Sequence, residues 1–127
     1  MRRARILIVE DNRYTIEITQ LILEEAGYVV LTTSTGEEAM VLAQQKSPDL
    51  ILMDISLPQM DGRQAIKLLK EDPRTRSTPI VVFTAHAMKG DKLDHDFAAC
   101  DGYIYKPFEQ DSFLEQVRGY LHDSGGS

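Results

Sequence analysis

Leu50-Ile51-Leu52-Met53-Asp54 is a block of four aliphatic residues closed by an acid. A strand covered on one face alternates apolar with polar residues, so an unbroken block of this length calls for cover on both faces. Ile6-Leu7-Ile8-Val9 and Ile80-Val81-Val82-Phe83 read the same way, and shorter runs at 28–32 and 103–105 complete five predicted strands. Helical spacing fills the intervals. One stripe is Tyr14, Ile18, Leu21 and Ile22; a second is Ala39, Met40 and Ala43. Ala65, Ile66 and Leu69 form a third, and Phe113, Val117, Tyr120 and Leu121 close the chain. A further helix over 88–99 rests on Leu93 and Phe97. Asn12 reads as a cap of the first helix, and Ser34 or Thr35, with Glu37 or Glu38 three residues on, as a cap of the second. Gly27 suits the end of the first helix. Strands alternating with helices imply right-handed crossovers and an open, parallel α/β sheet of (βα)5 type.

Composition narrows the function classes. The chain has 127 residues, which suits one domain, expected over 1–123 with 124–127 as a tail. Twenty acids against fourteen bases give a net charge of −6, which disfavours nucleic acid or an anionic lipid surface as partner. The apolar runs are far too short to span a bilayer, so no membrane association is expected. Cys100 is the single cysteine, which excludes an internal disulfide and fits a cytoplasmic protein.

In open parallel sheets, ligands sit outside the carboxyl ends of the strands. Glu10 and Asp11 follow the first strand, Asp54 ends the third, Thr84 the fourth, and Lys106 follows the fifth. The second strand ends at Thr32-Thr33 with nothing ionisable, as expected of an edge. Three carboxylates at adjacent strand ends repel one another, by roughly 4 kcal/mol per pair at 4 Å and an effective dielectric of 20. Such a cluster raises a pKa or binds a cation. An all-oxygen set favours a hard ion, Mg²⁺ or Mn²⁺. A Lys and a Thr hydroxyl beside it make a phosphoryl-binding site, and a carboxylate held there can act as nucleophile. Asp54 is the best placed of the three.

Four segments, in order, resemble the receiver domain of two-component response regulators over 5–121. They are Ile8-Val9-Glu10-Asp11-Asn12, the run from Leu52-Met53-Asp54 through Leu57-Pro58 to Asp61-Gly62, Phe83-Thr84-Ala85, and Tyr105-Lys106-Pro107-Phe108. The resemblance implies a flavodoxin-like strand order, 2-1-3-4-5. It implies that Glu10, Asp11, Asp54 and the backbone carbonyl of Ser56 hold Mg²⁺. It further implies that Asp54 accepts phosphoryl from a phosphohistidine of a sensor kinase or phosphotransfer protein. Lys106 would pair with the phosphoryl group and Thr84 hydrogen-bond it, while Tyr103 would rotate inward as Thr84 moves. The face built from the fourth predicted helix, the fifth strand and the fifth helix would then bind a downstream protein. Lys106-Pro107 is expected to be a cis peptide.

The pattern departs from the family at four places. Ser56 and His86 stand two residues after Asp54 and Thr84, where phosphoryl lifetime is tuned, so His86 is expected to affect dephosphorylation. Tyr105 is bulkier than is usual and, by period two, shares a strand face with Tyr103. Ala99 replaces a helix-ending glycine. His86, Asp91 and His95 do not make a transition-metal site, because nine helical residues turn about 900° and oppose the two imidazoles. Two competing functions are an Asp-nucleophile phosphatase and an interaction module that works without phosphorylation. No extra substrate-binding segment supports the first, and the complete acidic, Thr and Lys set opposes the second.

Overall fold

The computed structural model describes residues 3–54, 62–84, 100–105 and 109–124. Five parallel strands, β1 (Arg5–Val9), β2 (Val29–Thr33), β3 (Leu50–Met53), β4 (Ile80–Thr84) and β5 (Gly102–Tyr105), stand in the order β2-β1-β3-β4-β5. The helices described are α1 (Arg13–Glu25), α2 (Gly36–Lys46), α3 (Gly62–Glu71) and a C-terminal helix, Gln110–Ser124. The predicted helix over 88–99, and Ala99 with it, lies outside the described residues.

The continuous apolar blocks are explained by two cores. Leu7, Val9, Ile51, Met53, Ile80 and Val82 face α2 and α3, where they meet Ala39, Ala43, Ala65, Ile66 and Leu69. The alternate residues Ile6, Ile8, Leu50, Leu52, Val81, Phe83 and Ile104 face Leu23 of α1 and Phe113 and Val117 of the C-terminal helix. All four residues of β3 are buried, as a central strand with helices on both sides requires.

The stripe expected on α1 is wrong in phase. Thr19 and Leu23 face the sheet with Ile22, whereas Tyr14, Ile18 and Leu21 are exposed. The helix is apolar on two sides, and the sheet takes the side carrying Thr19, Ile22 and Leu23, whose threonine looks polar in the sequence. Glu17, Glu24 and Glu25 share the outward side with the exposed stripe. These interleaved acids lie on the solvent side of the helix. The caps behave as expected. The Asn12 side chain accepts the N–H of Thr15 at 2.9 Å, Thr35 caps α2, and Gly27 has φ +100°, where a side chain would be strained.

At the end of the sheet remote from the acids, one carboxylate ties three segments together. Asp101 Oδ2 accepts the N–H of Ile80 at 2.7 Å and the Lys70 ammonium at 2.7 Å. Lys70 also donates to the carbonyl of Thr78 at 3.0 Å. The starts of β4 and β5 are thereby fixed to the last turn of α3. This leaves the opposite strand ends to carry the site.

Candidate functional site

The chain runs from β1 outward to β2 and then returns past β1 to β3, so the strand order reverses between β1 and β3. A crevice opens at the carboxyl ends of such a pair. Val9 pairs with Met53 in register, so Glu10 and Asp54 leave the sheet side by side. The ladder extends one rung beyond the strands, with the Asp54 N–H donating to the carbonyl of Val9 at 2.9 Å. On the other flank the Glu10 N–H donates to the carbonyl of Thr33 at 2.9 Å. Both backbones are therefore held before either side chain is considered.

Glu10 is 1% exposed and Asp54 4%, while Asp11 stands in solvent at the rim. One carboxylate oxygen from each of Glu10, Asp11 and Asp54 lies within 4.8 Å of the other two. Glu10 keeps its orientation partly by accepting the N–H of Asn12 at 3.1 Å through Oε2. The oxygen set fits a hard divalent cation. Octahedral Mg²⁺ with bonds of about 2.1 Å separates neighbouring ligand oxygens by about 3.0 Å and opposite ones by about 4.2 Å. The spacing of the triad, within 4.8 Å, is of that order.

Three of the expected site residues are thus brought together. Thr84 closes β4 next to β3, in register with Tyr105 of β5. Tyr103 is half-buried against the α2–α3 core, and its ring lies parallel to that of Tyr105, 4° between planes and 6.2 Å between centroids. The shared strand face expected for the two tyrosines is therefore present. Ser56, His86, Lys106 and Pro107 lie outside the described residues. What the sequence reading missed is the support of Glu10 from β2 and α2. The Thr33 hydroxyl donates to the Glu38 carboxylate, in place of the return of Glu38 to the cap that its spacing from Thr35 suggested.

The model of the response regulator receiver domain family matches residues 6–118. A polar-differentiation response regulator, DivK, of Brucella ovis is 40% identical over 119 residues, which cover 94% of this chain and 97% of that one. A response regulator of Chloroflexus aurantiacus superposes with a TM-score of 0.87 at 32% identity, covering 95% of this chain and 99% of the other. The receiver domain of a Pseudomonas aeruginosa sensor histidine kinase, solved with a magnesium ion coordinated in its active-site cleft, gives a TM-score of 0.87 at 30% identity, with the same coverage.

Proposed function

Because the chain belongs to the response-regulator receiver family and so serves two-component signal transduction, we propose that Asp54 is its phosphoacceptor. The observation that carries this is the meeting of Glu10, Asp11 and Asp54 oxygens within 4.8 Å at the point where strand order reverses. Glu10, Asp11 and Asp54, with the carbonyl of Ser56, hold Mg²⁺. When bound, Mg²⁺ offsets the clustered negative charge and that of the incoming phosphoryl oxygens. The cation seen in the similar Pseudomonas receiver supports this assignment.

Asp54 attacks phosphorus through a carboxylate oxygen. A P–O bond forms, the P–N bond to the donor histidine breaks, and the imidazole leaves with the bonding electron pair. Lys106 pairs with the phosphoryl oxygens and Thr84 donates a hydrogen bond to them. Hydrolysis reverses the modification, with water attacking phosphorus to release phosphate and restore the Asp54 carboxylate; Ser56 and His86 tune that rate. No external substrate is turned over, so the chain is a switch rather than an enzyme. The output is the face around β5, where Tyr103 responds to Thr84 and engages a downstream protein. The lone cysteine and acidic composition fit work in the cytoplasm, and no described helix is long and apolar enough to cross a membrane.

Asp54 lies on the floor of the crevice, so a donor must present its phosphohistidine on a projecting element. α1 rises directly from the pocket and turns Tyr14, Ile18 and Leu21 outward, 71%, 38% and 57% exposed. Glu17, Glu24 and Glu25 surround that stripe, so its complement is an apolar helix face rimmed by basic residues. The test is transfer of labelled phosphoryl from a phosphorylated histidine kinase domain in the presence of Mg²⁺. Label should move to wild type and not to Asp54→Asn. Ile18→Glu should slow transfer from the kinase while leaving phosphorylation by acetyl phosphate unchanged. Transfer to Asp54→Asn at the wild-type rate contradicts the assignment.

A further inference from the structure

We propose that Glu38, acting through Thr33, is a positioning residue for the cation ligand Glu10; the proposal rests on reading the acidic pocket as a divalent-cation site. The spacing of Thr35 and Glu38 is that of a reciprocal helix cap, in which the acid returns to the N–H of the capping residue. Half of that arrangement forms, since the Glu38 N–H donates to Thr35 Oγ1 at 3.2 Å. The other half is diverted: the Glu38 carboxylate accepts instead from the hydroxyl of Thr33, and the Thr35 N–H reaches the same hydroxyl only at 3.4 Å. The Glu38 carboxylate thus accepts from the end of β2 rather than from its own helix cap.

Thr33 is 5% exposed, and its carbonyl accepts the N–H of Glu10. Glu10 in turn accepts the N–H of Asn12. A series of hydrogen bonds therefore runs from α2 through the last residue of β2 to the backbone amide of Glu10, the residue whose buried carboxylate lines the pocket. The two flanks of Glu10 differ in what holds them. β3 is paired on both sides, whereas β2 is an edge strand paired with β1 alone. The end of an edge strand frays unless something outside the sheet fixes it, and Glu38 supplies that fixing at the rung that holds Glu10.

Magnesium binding measured by calorimetry on the full chain tests this, together with the exchange rate of the Glu10 amide in metal-free protein. Glu38→Ala and Thr33→Val should weaken Mg²⁺ binding by roughly five- to tenfold, near the low end for residues that support metal ligands, and accelerate Glu10 exchange. Glu38→Gln keeps the acceptor and loses only the charge, so it should stay within about twofold of wild type. Equal affinity in all four proteins overturns this proposal alone. Glu38→Gln as weak as Glu38→Ala also overturns it, because the field of the carboxylate would then be responsible. Failure of wild type to bind Mg²⁺ overturns the cation reading of the pocket and this proposal with it.

Discussion

Thr19 and Thr75 are both fully buried, yet valine should have opposite effects at the two positions. The Thr75 hydroxyl donates to the carbonyl of Leu69 at 2.6 Å. That carbonyl lies in the last turn of α3, where no following turn supplies a donor. Thr75→Val strands the buried carbonyl and should cost about 1–3 kcal/mol. Thr19 Oγ1, on the inward side of α1, has no hydrogen-bond partner among the described residues. Thr19→Val removes an unsatisfied hydroxyl, replaces it with a methyl of similar shape and leaves helix propensity nearly unchanged. The expected gain is about 1 kcal/mol, or about 4 °C in Tm for a chain of this length. Urea denaturation reads both values, the midpoints moving in opposite directions at constant m. A Thr19→Val protein less stable than wild type would refute the reasoning, since it would show that the hydroxyl contributes binding energy.

A Cβ on Gly102 would overlap the Tyr120 ring, at Oη and Cζ. Gly102→Ala should therefore destabilise by about 1–3 kcal/mol, and Tyr120→Leu in the same chain should recover most of the loss in a double-mutant cycle. Asp72 accepts from the guanidinium and then the backbone N–H of Arg74, and from the Gln44 side chain, at 2.8–3.2 Å, which lowers its pKa from 3.8 to about 2. A depressed carboxylate stabilises the fold above its unfolded pKa and loses that contribution on protonation. The stability gap between wild type and Asp72→Asn should thus be full above about pH 4 and vanish as pH falls through about 2; a gap independent of pH would contradict it. Lys70→Met removes the ammonium from Asp101 and from the carbonyl of Thr78. Amide exchange at Ile80 should quicken in that variant more than exchange at Leu52; equal protection at Ile80 would show that the tie is dispensable.

The parts of this molecule set by local pattern were readable from its sequence. Continuous apolar blocks announced strands covered on both faces, because each residue of Leu50-Ile51-Leu52-Met53 must find one core or the other. The placement of Glu10, Asp11 and Asp54 at strand ends followed from the same reading, since a parallel sheet brings all its carboxyl ends to one side. Period two put Tyr103 and Tyr105 on one face, and their rings are parallel. The phase of α1 was not readable, because Leu21-Ile22-Leu23 offers apolar residues to either side and threonine buries as readily as valine when the sheet demands it. Contacts distant in sequence were equally hidden. Nothing local links Lys70 to Asp101, 31 residues on. Glu38 satisfies the spacing of a helix cap while giving its carboxylate to the neighbouring strand end.

The central claim is that the acidic pocket makes Asp54 a phosphoacceptor, and intact-protein mass spectrometry after incubation with acetyl phosphate and Mg²⁺ tests it directly. Wild type should gain the mass of one phosphoryl group, and the gain should disappear in Asp54→Asn and when the cation is chelated. A wild-type chain that never gains mass, or an Asp54→Asn chain that gains it equally, would contradict the account.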